Sequence, residues 1–385
     1  MAGATIDVDA HDAAASEIDL TAGGTVTLAG GAGATALSAN AEADAGGGGT
    51  INLMAGGNVS TGAGLSARSG SLGAGGSILI TTSNAEVTLN APLDASGGAL
   101  DGGAIDVESD LDLVTTSAAR LVVDGGGASG SGGQITLDSN VQGSVTIGGP
   151  ISGNAGGSDQ GGELDSLTNA GAITVNAAVD FWGGPGGGGG GTVDLEPVGD
   201  LTVNAALNLA GHGVGSCGGS ATLGDGSGNV VLSSNPIDVS GDSCGMGQVV
   251  VTADASTTAS GEINADSNAT TAVGGLIQLT AGTLTVGGTL HANRTVPRRP
   301  VRWPFGRPPW NANLYWQAQK RYPGSCADVE SVGGEVTRRI TPFALASMSM
   351  HPYPPSDVPA VGPATTGPRA AATAPQLASV PLLPA

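Results

Sequence analysis

A glycine pair followed by a short apolar-x-apolar step recurs throughout the first 293 residues, and it restricts the possible folds more than any other feature. The second glycine, or its equivalent, stands at positions 24, 49, 76, 103, 133, 162, 191, 219, 247 and 275, a period close to 28 residues. Repetition at a fixed interval in this range marks a solenoid and outranks local propensity. Each anchor is followed by alternating apolar residues: Val26 and Leu28, Ile51 and Leu53, Ile78 and Ile80, Ile105 and Val107, Ile135 and Leu137, Val193 and Leu195, Val249 and Val251, Ile277 and Leu279. Alternation over so few residues is the signature of a half-buried strand. Ile6 and Val8 fit the same first-strand pattern.

A second alternating step follows, as in Val87-Thr88-Leu89 and Leu201-Thr202-Val203, and a weaker third, as in Leu93 with Ala95 or Val179 with Phe181. Three short strands per period, separated by Gly, Asn and Ser, describe one coil of a parallel β-helix. A single coil cannot bury its own apolar face, whereas coils stacked at about 4.8 Å pair their backbones and merge their inward side chains into one column. The chain is therefore expected to be an all-β, parallel β-helix solenoid of about ten coils. A polyproline-II bundle would need glycine at nearly every third position, but here glycine is sparse inside the strands.

Composition divides the chain at residue 293. Residues 1–293 hold two arginines, no lysine, 29 acidic residues and 63 of the 69 glycines, for a formal charge of −27. Residues 294–385 hold ten basic and four acidic residues, for +6, and 16 of the 21 prolines. So sharp a break predicts a β-helix repeat domain over 1–293 and a disordered or out-of-frame Pro/Arg/Ala-rich tail over 294–385. The change of alphabet from Arg294 to Trp310, in mid-coil and without a cap, favours the out-of-frame reading. A body this acidic argues against nucleic acid and anionic membrane surfaces, both of which need Lys and Arg. No apolar stretch is long enough for a spanning helix. The missing leader and missing end cap predict an internal piece of a longer protein.

Candidate sites are few. Thr88, Thr146, Thr174, Thr202 and Thr285 should form an outward threonine column on the middle strand. Such a column suits a solvated strand face, with ice or ordered-surface binding as the sharper alternative. Asn90, Asn176 and Asn204 occupy the bend after that strand and can stack as an amide ladder. Cys217 and Cys244 lie one period apart, which places them within reach of a disulfide; Cys326 has no partner. Phe181 and Trp182, the only aromatics of the body, read as a wedge in a wider coil or a sugar-stacking patch. The Gly-rich return loops are where binding to glycans or cell-surface components would reside.

An enzyme is the rival class, because polysaccharide-cleaving enzymes use this architecture. Lyases need a strong base, and the body offers only Arg68 and Arg120. Hydrolases need paired carboxylates, for which Asp94 with Asp101 and Asp238 with Asp242 are candidates. His11, His212 and His291 are isolated and lack metal-ligand spacing. Neither a catalytic set nor a cofactor or metal site is expected.

Gly-Gly-Thr-Ile-Asn-Leu (48–53), Gly-Gly-Ser-Ile-Leu-Ile (75–80) and Val-Thr-Leu-Asn-Ala-Pro-Leu-Asp-Ala-Ser-Gly (87–97) resemble the repeats of filamentous-haemagglutinin-like and autotransporter-type bacterial adhesins. The resemblance covers residues 1–293. It implies a right-handed β-helix stalk, extracellular or on the bacterial cell surface, that displays or forms an adhesive surface without catalysis. The export signal, secretion domain and membrane barrel of that family pattern are missing from these 385 residues.

Overall fold

The computed structural model describes residues 5–10, 16–31, 34–41, 44, 46–224, 228–242, 247–267, 274–293 and 329–330. The chain divides into two units, Met1–Arg339 and Ile340–Ala385. Every described residue belongs to the first, which is all-β: about nine turns of a parallel β-helix at the 28-residue period. This is close to the ten coils expected from the repeat.

A full coil has a six-residue first strand (Ser77–Thr82, Ala104–Ser109, Gln134–Ser139), a three-residue second strand (Val87–Leu89, Leu113–Thr115, Val145–Ile147) and a two-residue third strand (Leu93–Asp94, Leu121–Val122, Ile151–Ser152). Within the stack each strand pairs in parallel with its counterparts one coil before and one coil after. The inward residues consequently stack without a slip: Ile51, Ile78, Ile105, Ile135, Leu164, Val193, Ala221, Val249 and Ile277 are consecutive partners. All are buried. A one-residue slip would turn each of these side chains outward, so the apolar column itself enforces the register.

The glycine pairs have a steric cause. A Cβ on the first glycine of a pair would overlap the carbonyl oxygen of a third-strand corner, Ala67 for Gly48, Ala95 for Gly75 and Val123 for Gly102. A Cβ on the second would overlap the carbonyl of the equivalent glycine one coil earlier, Gly49 for Gly76 and Gly76 for Gly103. The chain closes each turn by backbone-to-backbone contact, which only glycine permits at that distance. The opposite corner is closed by buried hydroxyls. Thr82, Ser139 and Thr168 donate to the carbonyls of Ala85, Leu111 and Gly171 at 3.1, 2.8 and 2.7 Å. These bonds satisfy turn carbonyls that would otherwise be buried unpaired.

Two expectations are corrected and one strand is added. Val26–Leu28 is a second strand, not a first, because it pairs with Val59–Thr61. The first strand of that coil is Glu17–Ala22, and Ile18 pairs with Ile51. Gly23-Gly24 is thus the turn between strands, and Ser16, whose carbonyl accepts from Thr50 N, stands where later coils carry the anchor glycine. Likewise Ile6–Asp7 is a third strand, paired with Leu37 and Ser38. The third finding is an addition: the coil after Gly162 has a full first strand, Glu163–Thr168. Its inward Ser166 hides the apolar alternation and donates to the Leu137 carbonyl at 2.6 Å.

Phe181 is the wedge that the sequence suggests. It is fully buried, and its ring fills the space where a Cβ of Gly153, one coil below, would stand. Large over small keeps the column close-packed. At the far end, Val329–Glu330 pairs in parallel with Ile277 and Gln278; otherwise residues 294–385 lie outside the described residues.

Candidate functional site

With the interior apolar, chemistry can reside only on the outward faces. The second-strand face carries one outward column: Thr27, Ser60, Thr88, Val114, Thr146, Thr174, Thr202, Val231, Thr258 and Thr285 are successive partners. The five expected threonines are members. Thr258 is an addition; its strand, Thr257-Thr258-Ala259, lacks the flanking Val and Leu that reveal the others. Of the three asparagines at the following bend, Asn204 donates to Asn176 at 2.9 Å, one true rung of an amide ladder. Asn90 instead faces Ser60 at 3.4 Å.

The first-strand face is acidic in its middle. Glu108 stands opposite Asp138, and Asp165 opposite Asp194, with Asp106 and Glu196 beside them. Like charges directly across parallel rungs repel. Burial raises the Asp138 carboxyl to about 6, against a helping hydrogen bond from Leu167 N, and the charges of Asp165, Asp106 and Glu108 push the same way. Asp106 is also raised, by burial and by Glu108, and its Oδ1 is buried without a hydrogen bond.

The third-strand face behaves differently. Two polar columns run side by side along it. The third-strand column is Asp7, Ser38, Ser66, Asp94, Val122, Ser152, Asp180, Asn208, Asp238, Asn264 and His291. Two residues further along each coil lies a corner column: Asp9, Asn40, Arg68, Ser96, Asp124, Asn154, Trp182, Ala210, Ser240, Asp266 and Asn293. Corner carboxyls and amides accept from the next coil. Asp124 Oδ1 takes Ser152 Oγ at 2.5 Å and Asn154 N at 2.7 Å, and Asn154 Oδ1 takes Trp182 N at 3.1 Å. Asn40 does the same for Ser66 Oγ and Arg68 N at 2.7 and 2.8 Å. These bonds to charged or amide acceptors hold coil to coil.

Among the described residues, Arg68, Ser96 and Ser240 accept no such bond, and neither do the consecutive corners Trp182 and Ala210, which offer no acceptor. There a groove of about 760 Å³ opens, lined by Asp180, Asn208, Asp238, Asp242 and the loop from Gly211 to Ser216. The Trp182 and His212 rings meet edge to face with centroids 5.1 Å apart. The same loop carries Val214, 91% exposed, and Gly215 N donates to Asp242 Oδ2 at 3.0 Å. Neighbouring loops are joined by Gly187 N and His212 N, which donate to His212 O and Gly188 O at 3.0 and 3.2 Å. Cys217, at the base of the loop, is disulfide-bonded; its expected partner Cys244 lies outside the described residues.

Both expected carboxylate pairs can now be placed. Asp238 and Asp242 line the same groove. Asp94 and Asp101 serve the scaffold: Asp94 binds Arg68 Nε at 3.5 Å and accepts from Ser96 N, while Asp101 accepts from Ser131 N at 2.9 Å. Arg120 is exposed. His291 lies 3.6 Å from Glu262, and His11 lies outside the described residues. Among the described residues no three His, Cys, Asp or Glu side chains gather as a metal site, and no helix is long and apolar enough to cross a membrane. A second groove, about 700 Å³, follows the glycine pairs from Gly48 to Gly190 and presents mostly bare backbone.

Comparison with known proteins returned no matching family model, no matching characterised protein and no matching solved structure. The functional reading therefore rests on the geometry described above.

Proposed function

We propose that this chain is a structural and adhesive stalk segment of a secreted or cell-surface bacterial protein, with no catalytic role. One observation carries the reading: the polar side chains of the third-strand face mostly bond to the next coil, so the surface chemistry serves the stacking itself. A scaffold of that kind gains rigidity with each added coil and can hold its loops at fixed intervals. The acidic body keeps the stalk soluble and repels polyanions. A glycan array and a reducing-sugar release assay on the full chain test the proposal. Retention of glycans without release of sugar is the expected result; turnover at an enzymatic rate would refute it.

A second reading, a carbohydrate hydrolase, draws on the groove. Asp180 and Asp238 are two rungs apart, roughly 9.6 Å between backbones at about 4.8 Å per rung, near the roughly 6.5–9.5 Å gap of inverting enzymes. Asp106 and Asp138, the carboxyls whose proton affinity burial raises, lie on the first-strand face. The threonine column is a single residue wide, and this weighs against binding an ordered ice surface.

A further inference from the structure

We infer that the groove over Asp180, Asn208 and Asp238 is a saccharide-binding site that favours amino sugars and rejects uronates; this rests on the adhesive reading and supplies its ligand class. The starting observation is a gap in the hydrogen-bond ladder. Along the third-strand column, Ser38, Ser66 and Ser152 donate to the corner residues Asp9, Asn40 and Asp124. Asp7 and Asp94 accept from the backbone of Asp9 and Ser96. Asp238 Oδ1 accepts from Ser240 N at 2.9 Å and Asn264 Nδ2 at 3.2 Å. Among the described residues, the side chains of Asp180 and Asn208 have no such partner: Asn154, one coil before Asp180, gives its Nδ2 to Ser152 and its Oδ1 to Trp182 N, and the next corners, Trp182 and Ala210, offer no acceptor.

Asp180 and Asn208, part-exposed and without a hydrogen-bond partner in the protein, are consecutive rungs, and both line the groove. A carboxylate only accepts hydrogen bonds, whereas an amide both donates and accepts. A column reading acid, amide, acid at about 4.8 Å per rung matches a ring bearing several hydroxyls, each able to donate and accept in turn. His212 lines the groove, and the Trp182 ring packed edge to face against it holds an aromatic wall on which the carbon face of a sugar can lie.

Charge sets the preference within the class. Asp180, Asp238 and Asp242 put three carboxylates around one groove, and residues 1–293 contain no lysine and only Arg68 and Arg120 as fixed cations. Arg68 is held by Asp94. At spacings comparable with the ~8 Å Debye length of physiological salt, a uronate would be repelled and an ammonium drawn in. The smallness of Ala210 is equally necessary, since an Asp or Asn there would fill the corner and satisfy Asn208 from within.

The test is calorimetric titration of the full chain with glucosamine oligomers, glucose oligomers and galacturonate oligomers at fixed salt. Glucosamine oligomers should bind at least about tenfold more tightly than glucose oligomers, with no detectable binding of galacturonate. Asp180→Asn combined with Asp238→Asn should weaken glucosamine binding by about tenfold or more, with Asp238→Asn keeping an oxygen for Ser240 N. His212→Ala, an exposed position, should weaken it severalfold. Glu108→Gln combined with Asp138→Asn removes the same charge from another face and should change binding less than twofold. Equal losses in the two double variants would show diffuse attraction and overturn the site. So would undiminished binding in Asp180→Asn/Asp238→Asn, or no binding of any oligomer by the native chain. Glycan retention that survives the groove variants would leave the adhesive reading standing while this site falls. Sugar release that depends on Asp180 and Asp238 would uphold the site and overturn the non-catalytic reading.

Discussion

The first-strand and third-strand faces of this β-helix are both rich in Asp, yet the same residue has opposite effects on them. On the third-strand face a carboxylate such as Asp124 accepts from a hydroxyl and a backbone N–H of the next coil. On the first-strand face burial raises the proton affinity of Asp138, and the charges of Asp165, Asp106 and the facing Glu108 add to it. An acid stabilises a solenoid when the rung above offers it a donor and costs stability when the rung offers another acid. Sequence composition treats the two alike.

Four variants sharpen or break this contrast. Ile105→Ala should have the largest effect, a loss of about 2–5 kcal/mol in urea unfolding, because the inward column supports both faces equally. A loss under 1 kcal/mol would mean that the outward faces, not the column, carry the stability. Asp124→Ala should destabilise by about 1–3 kcal/mol, leaving Ser152 Oγ and Asn154 N without their acceptor. A neutral result would remove the distinction between the faces. Asp138→Asn should do the reverse, raising stability at pH 7–8 by on the order of 1 kcal/mol once solvent screening is allowed for, since the amide oxygen can still accept from Leu167 N.

The pH dependence of the native protein gives an independent reading. With Asp138 raised from 3.8 to about 6 in the fold, the folded state holds a proton through that window that the unfolded state has lost. The cost of its charge is felt in full above pH 6, recedes as pH falls from 6 towards 3.8, and is gone below. Thermal melts of Asp138→Asn and the native chain should therefore converge by about pH 4. The smallest effect is expected from Arg68→Ala, which breaks a solvated ion pair with Asp94. It should cost under about 1 kcal/mol, and less at high salt.

The architecture was legible because one residue class, the inward aliphatic, alternates within three short strands that recur about every 28 residues. The phase of the first coil was not. Gly23-Gly24 imitates the anchor pair, and only the pairing of Ile18 with Ile51 shows that Ser16 holds the anchor position. Ser166 hid a strand because its hydroxyl finds a carbonyl inside the stack. Asp238 and Asp242 were readable as a pair, as were Trp182 and its neighbour Phe181. What makes the groove was not readable. It depends on which corner residues fail to meet a partner one coil away, and that comparison needs the coils laid in register. The acidic column was equally hidden, since 29 acidic residues in the body offer many pairings on paper.

The closure of each turn at its glycine pair bears on how such an array can change length. Gly103 lies against the carbonyl of Gly76, and Gly133 against that of Gly103, so these repeats carry both the notch and the oxygen that fills the next one. Duplicating or deleting a whole 28-residue unit preserves every junction, while a single methyl at one notch spoils it. A whole repeat can then be added or removed with the seam intact, whereas a side chain at Gly76, Gly103 or Gly133 would meet backbone.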